Sequence, residues 1–333
     1  MTRQTLRSLM FVCLSLWAIA SGAVQNGPAP TSTSVNAAGT YATASSAVAS
    51  TASLGFGGGT IYYPTATGTY GVIALCPGFT ATQTSVAWLA QRLATHGFVT
   101  LAMNTNNPLL DSPSSRGTQL RAAIAYLTGS SAPAAVKAHV DATRRAVYGH
   151  SMGGGGVLYA LTSDKTLKAG FPMAPYNTAT TSFPTITSAT MILTGTGDTT
   201  APPSTYGLPM YNSLPVTTQK AYALLTGAGH STFSANPGDE RVGRYGVVWA
   251  KYFVDSDTRY ATFLCGAEQT TYARKNWSSL MLFNCSRCTA LTPDYVNSAT
   301  GLQLHRFEWL PPQESIGAVP LGRWNHLIDV EKP

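Results

Sequence analysis

The run Arg144-Arg145-Ala146-Val147-Tyr148-Gly149-His150-Ser151-Met152-Gly153-Gly154-Gly155-Gly156-Val157-Leu158 decides how this chain folds. It reads as an apolar strand, then a G-x-S-x-G turn, then an apolar helix. That order predicts a nucleophile elbow, a strained strand-to-helix turn that lifts a serine hydroxyl above a sheet. Gly149 and Gly153 carry no Cβ, so the backbone can turn sharply without a clash. A helix starting just after Ser151 points N–H groups without intrahelical acceptors at the serine, where a developing oxyanion would sit. The plain alternative is a glycine-rich surface turn that contains a serine by chance. The strand before it and the helix after it argue against that.

Outward from the elbow, apolar segments alternate in type. Strand-like runs cover residues 60–63, 71–76, 98–103, 146–148, 170–173, 191–194 and 221–225, and helix-like runs cover 86–93, 119–127, 153–161 and 245–254. Strands alternating with helices predict crossover units and an α/β fold with a mostly parallel central sheet flanked by helices. Right-handed crossovers place the strand ends, and with them a site, along one edge of that sheet. Residues 29–53, rich in Ala, Ser and Thr, read as a linker or as edge strands. Past Cys288 no period is sustained. The predicted organisation is a leader over 1–23, a catalytic domain over 24–288 and an irregular C-terminal extension over 289–333.

A serine hydroxyl is a weak nucleophile at neutral pH and needs a base, which needs an orienting acid. On a fold of this type the order along the chain is Ser, then Asp or Glu, then His. The strand Met191-Ile192-Leu193-Thr194 runs into Gly195-Thr196-Gly197-Asp198, and the next strand runs into Thr226-Gly227-Ala228-Gly229-His230. Asp198 and His230 are therefore the candidate acid and base, the latter on a flexible loop of small residues. Asp141 and Asp164 read as helix-flanking caps, and Asp255 and Asp257 as a solvated polar turn. His96 reads as a helix end, His139 as surface, and His150 as lining the cleft, while His305 and His326 fall in the tail. Backbone N–H groups of Met152, after the nucleophile, and Phe79, after an early strand, are the candidate oxyanion donors.

Composition limits the partners. The formal charge is +7, yet charged residues make up only 11% of the 333, with no clustered Lys/Arg stripe. This excludes a typical nucleic-acid surface and leaves an uncharged-polar, mildly basic one. Arg3 and Arg7, the apolar run 9–18 and small residues at Ala18-Ile19-Ala20 and Ser21-Gly22-Ala23 predict a cleaved secretory leader and an extracellular protein. An uncleaved N-terminal anchor is the alternative. Cys76 ends an apolar strand and reads as a small buried hydrophobe. Cys265 can pair with Cys285, closing a loop worth roughly 3 kcal/mol on the chain-entropy picture, or with Cys288. No Cys/His cluster has zinc spacing.

With these residues assembled, the chain resembles the bacterial secreted polyester hydrolases, the actinobacterial-type cutinases and poly(ethylene terephthalate) hydrolases. The resemblance rests on Gly59-Thr60-Ile61-Tyr62-Tyr63-Pro64, Pro77-Gly78-Phe79-Thr80, His96-Gly97-Phe98-Val99, the elbow with its four glycines after Met152, Asp198-Thr199-Thr200-Ala201-Pro202 and Asp257-Thr258-Arg259-Tyr260. It implies an α/β-hydrolase fold without a large lid domain, a Ser151-His230-Asp198 triad, and oxyanion donors at Phe79 and Met152. It also implies a substrate groove lined by Phe79, His150, Tyr176, Thr200 and Tyr206. Members often have tyrosine at the first of these positions and tryptophan where this chain has Tyr176. The family further implies a Cys265–Cys285 disulfide and no cofactor, although a structural Ca²⁺ stabilises some members.

The leading expectation is thus a secreted, monomeric serine hydrolase of polyesters such as cutin or poly(ethylene terephthalate) and of short acyl esters, with no nucleic-acid or membrane partner after leader cleavage. Two alternatives stand beside it: a lipase or esterase for small soluble esters, and a catalytically inactive polymer-binding protein.

Overall fold

The structure, a computed structural model, describes residues 23–264, 292–298 and 326–328. Apolar runs without a polar break are what a strand covered on both faces requires. Tyr70–Cys76 is such a run, and it, Phe98–Met103 and Ala189–Gly195 are buried at every position. They lie inside a sheet built from β1 (Thr43–Val48), β2 (Gly59–Pro64), β3 (Tyr70–Cys76), β4 (Phe98–Met103), β5 (Val140–His150), β6 (Ala169–Met173), β7 (Ala189–Gly195), β8 (Lys220–Leu225) and β9 (His326–Ile328). Its order is β1-β2-β4-β3-β5-β6-β7-β8-β9. Only the β1–β2 and β2–β4 pairs are antiparallel; from β4 to β9 every pair is parallel. The Ala/Ser/Thr-rich segment near the N-terminus supplies β1, an edge strand, and His326–Ile328 of the C-terminal segment supplies the other edge.

The helices are α1 (Ser32–Asn36), α2 (Thr84–Thr95), α3 (Pro113–Thr128), α4 (Ala134–Lys137), α5 (Met152–Ser163), α6 (Gly207–Ser213), α7 (Glu240–Phe253) and α8 (Pro293–Ser298). The last lies in a separate unit, residues 267–324. On one face of the sheet Leu89 and Leu93 of α2 and Val247 and Trp249 of α7 pack against Tyr148 and Phe171. On the other, Leu120 and Leu127 of α3 and Val157 and Leu161 of α5 pack against Val72, Ala74 and Val147. The expected fold, an open mostly parallel sheet sandwiched by helices, is the one the chain adopts.

Several elements extend past their apolar runs. Helix α3 starts at Pro113 because Ser112 caps it, its hydroxyl accepting from Ser115 N–H at 3.2 Å, and proline suits the first helical turn. Strand β5 starts at Val140, where polar residues hide the strand from an apolar count.

One expectation is overturned. Asp255 and Asp257 are not a solvated turn, since both are fully buried. Asp255 receives Lys251 Nζ at 2.9 Å and also Arg144 Nη1, and Asp257 receives Arg259 Nη2 at 2.7 Å. Arg144 belongs to β5, far away in sequence, and a buried carboxylate survives in such a place only when cations desolvate with it. The leader, and the Cys265, Cys285 and Cys288 whose pairing was left open, lie outside the described residues. Cys76 is buried, which pushes its thiol up to about 12 and makes it inert.

Candidate active site

Ser151 follows β5 directly and precedes α5, with φ 56° and ψ −120°. A non-glycine residue in that region is strained and persists only where its surroundings hold it. They do so on both sides. Ser151 N–H donates to Met173 C=O at 2.9 Å, and Ser151 C=O accepts from Tyr176 N–H at 2.9 Å and Gly155 N–H at 3.0 Å. The glycines explain how the chain fits. A Cβ on Gly149 would collide with the Gly153 carbonyl, and one on Gly153 with the carbonyls of Cys76 and Pro77. A Cβ on Gly156 would fall 2.9 Å from Arg116 Cβ. The four-glycine run therefore lets α5 press against the elbow, the loop after β3 and α3 together.

Ser151, Asp198 and His230 lie on loops past the carboxyl ends of β5, β7 and β8, and their side chains meet. His230 Nε2 is 2.9 Å from Ser151 Oγ, and His230 Nδ1 is 2.8 Å from Asp198 Oδ2. The Asp198 side chain is fully buried, and its other oxygen accepts from Thr200 N–H at 3.0 Å and Ala201 N–H at 2.8 Å. Three donors thus hold both oxygens of this carboxylate in place. His230 was expected on a flexible loop. Instead it begins a 3₁₀ turn, His230–Ser234, anchored by the buried Phe233 and by Gly229 N–H donating to Thr232 Oγ1 at 3.0 Å.

The loop after β3 closes over the serine. A Cβ on Gly78 would sit 3.0 Å from Ser151 Cβ, so the backbone just before Phe79 passes close to Ser151. Met152 opens α5, where N–H groups lack intrahelical acceptors. The segments that carry the amides of Phe79 and Met152 thus both adjoin Ser151.

The five groove candidates separate into different settings. The Phe79 side chain is 53% exposed at the rim. The rings of Tyr176 and Tyr206, both half-buried, touch with centroids 4.8 Å apart and planes at 42°. Thr200 is exposed, and its backbone N–H donates to Asp198. His150 is buried about as deeply as Ser151, which is 6% exposed. It is only 5% exposed and lies under the base, with ring centroids 4.7 Å apart and the Phe233 ring on its other side at 6.4 Å. His150 Nε2 is 3.0 Å from the carbonyl oxygen of His230, so this nitrogen donates and Nδ1 is the bare, unpartnered one. Burial, aided by the proximity of His230, pushes His150 down to about 4, so it is neutral at physiological pH.

Sequence reasoning missed Arg116. This fully buried residue of α3 spends its guanidinium on backbone carbonyls: Nη1 on Pro77 and Gly78, both at 3.1 Å, Nη2 on Pro108 at 2.9 Å, and Nε on Asp111 at 3.1 Å. Its sequence signal is a cation on the apolar stripe that continues through Leu120, Ala123 and Leu127. Among the described residues no group of three or more His, Cys, Asp and Glu converges. Among them, too, no helix is long and apolar enough to cross a membrane.

Known proteins resemble this chain over most of its length. The sequence profile of a family described as "PETase: PET hydrolase-like" matches residues 18–286. A bis(hydroxyethyl) terephthalate hydrolase of Streptomyces coelicolor is 47% identical over 244 residues, covering 72% of this chain and 76% of that protein. A cutinase of Thermobifida alba is 44% identical over 252 residues, 75% of this chain and 83% of its own, and one of Thermobifida fusca is 43% identical over 255 residues, 76% and 78%.

Proposed function

The chain belongs to the PET hydrolase-like family, which is one of carboxylic ester hydrolases, and from that premise we propose that it hydrolyses polyester chains outside the cell through an acyl-enzyme on Ser151. The observation that carries this reading is the continuous line Ser151 Oγ–His230 Nε2–His230 Nδ1–Asp198 Oδ2, with steps of 2.9 Å and 2.8 Å at the catalytic edge of the sheet.

His230 takes the serine proton as Oγ attacks the ester carbonyl, and Asp198 holds the ring so that Nε2 faces the serine. The carbonyl oxygen becomes an oxyanion, and the amides of Phe79 and Met152 receive it. Collapse of the tetrahedral intermediate expels the alcohol end of the polymer, which leaves with the proton that His230 returns. Water, deprotonated by the same His230, then releases the acid end and restores Ser151. No step calls for a cofactor. Export is supported by the Arg-flanked apolar leader, and the relatives named cutinase support a polymeric ester as substrate.

A second reading, hydrolysis of small soluble esters alone, draws on the contact between Tyr176 and Tyr206, which limits how far Tyr176 can move to admit an aromatic acyl ring. Product release from amorphous aromatic polyester film, measured beside turnover of a soluble p-nitrophenyl ester, separates the two. Hydrolysis of both substrates, lost together in Ser151→Ala, is the expected result. Turnover of the soluble ester with an untouched film would leave only the second reading.

A further inference from the structure

Exposed large apolar side chains are few among the described residues, and most gather on one edge. Phe79 is 53% exposed, Leu109 61%, Leu110 80% and Leu208 40%. Phe79 follows β3, the two leucines follow β4, and Leu208 follows β7, so all four stand on segments leaving the carboxyl ends of strands, where Ser151 lies.

The leucine pair is displayed by a locked turn. Asn107 Oδ1 accepts from Leu109 N–H at 3.0 Å and Leu110 N–H at 3.1 Å. Asn107 N–H donates to Asp111 Oδ2 at 2.7 Å, and Asp111 N–H donates back to Asn107 C=O at 2.9 Å. The turn is then joined to the oxyanion loop. Thr80 N–H donates to Pro108 C=O at 3.1 Å, and Arg116 bonds the same carbonyl together with those of Pro77 and Gly78. Two adjacent leucines held outward on a turn with this many bonds lose little freedom when a surface covers them. A protein gains nothing in solution from presenting them there.

We propose that Leu109 and Leu110, continuous with the Phe79 rim, form an adsorption surface that seats the enzyme on solid polyester; this rests on the esterase reading above. The bulk of a polymer is attached to the segment being cut, so a chain entering at Ser151 brings its own solid surface against this same edge. The chemistry matches as well, since residues 104–110 carry no charge and the polymer has none to offer. A lipid bilayer and a second copy of this chain are the other occupants an apolar rim could meet, and the test below includes both.

Adsorption is measured without turnover, in a Ser151→Ala background, as depletion from solution by amorphous aromatic polyester particles. Leu109→Ser combined with Leu110→Ser should lower the partition constant roughly tenfold, the scale expected for two partly covered leucines. In the active background the same pair should leave soluble-ester turnover and the melting temperature unchanged, while film hydrolysis falls at low enzyme loading and recovers at high loading. Unchanged adsorption overturns the proposal. So does a parallel loss of soluble-ester activity, which would make the leucines part of the groove. A larger loss on phosphatidylcholine vesicles than on polyester would assign the surface to lipid. A wild-type dimer in sedimentation that the variant dissolves would assign it to self-association. Failure of the esterase reading looks different: neither substrate is hydrolysed, while adsorption is intact and still depends on the leucines.

Discussion

Nη1 of Arg116 lies 3.1 Å from the carbonyl oxygen of Gly78, the glycine on which a Cβ would fall 3.0 Å from Ser151 Cβ. A buried cation on α3 thereby fixes the loop that carries Phe79, one of the two proposed oxyanion donors. Arg116→Met would remove the guanidinium from four carbonyls, leaving Pro108 only its bond from Thr80 N–H, Gly78 only that from Ala81 N–H and Pro77 only the weak Cys76 thiol. Each lost bond to a charged donor is worth about 1.5–3 kcal/mol before relaxation. We expect a lower melting temperature. At temperatures where the variant is folded, kcat should fall at least tenfold with a smaller change in KM, since loss of an oxyanion donor costs about 10²–10³ in rate. Arg116→Lys should restore part of kcat but not all, because one ammonium cannot reach carbonyls in four residues. A variant that loses stability yet keeps wild-type kcat would reduce Arg116 to a structural role.

Tyr206 restrains Tyr176 through their ring contact, worth about 0.5–1.5 kcal/mol. Tyr206→Ala should lower stability by about that amount and raise the rate on aromatic polyester relative to a short aliphatic ester. Tyr176→Trp, alone, should lower the melting temperature, because a larger ring must fit against the Tyr206 already there. Rates on film and soluble ester, taken at one temperature for both variants, check the pair. A ratio that does not move would remove Tyr176 from substrate contact.

The elbow was legible because its signals are local: glycines at fixed offsets, an apolar strand before and an apolar helix after. Asp198 and His230 were legible for the same reason, each standing a few residues past an apolar strand in the order the fold requires. What stayed hidden depends on distant partners. Nothing beside Asp255 announces Arg144, which reaches it from β5, so a polar turn was the natural reading. The burial of His150 is set by His230 and by Phe233. The role of Arg116 depends on carbonyls, which every sequence has and none advertises.

The buried cluster yields a stability prediction. Asp255→Ala leaves Lys251 and Arg144, both buried, without their shared carboxylate. Removing one partner of a buried ionic group costs roughly 3–5 kcal/mol. Urea unfolding should show a loss of that order, while ester turnover per folded molecule holds. A loss below about 1 kcal/mol, the level of an exposed ion pair, would contradict the buried assignment.

Acid should weaken the fold through histidine. Burial pushes His96 down to about 4, as it does His150, whereas an unfolded chain holds histidine near 6.5. Between those values the unfolded state binds more protons, so stability is fully present above about pH 6.5 and is lost as the pH falls towards 4. Melting temperatures across that window should drop steadily, and His96→Gln should flatten the slope. A melting temperature independent of pH from 7 to 4 would contradict both burials.

The central claim is that Ser151 is the nucleophile that His230 activates, and covalent labelling tests it most directly. The wild-type protein is treated with a fluorophosphonate, digested, and the adduct located by mass spectrometry. One adduct is predicted, on the peptide carrying Ser151, with none in Ser151→Ala and strongly slowed labelling in His230→Ala. An adduct on another residue, or full labelling of the Ser151→Ala protein, would contradict the account.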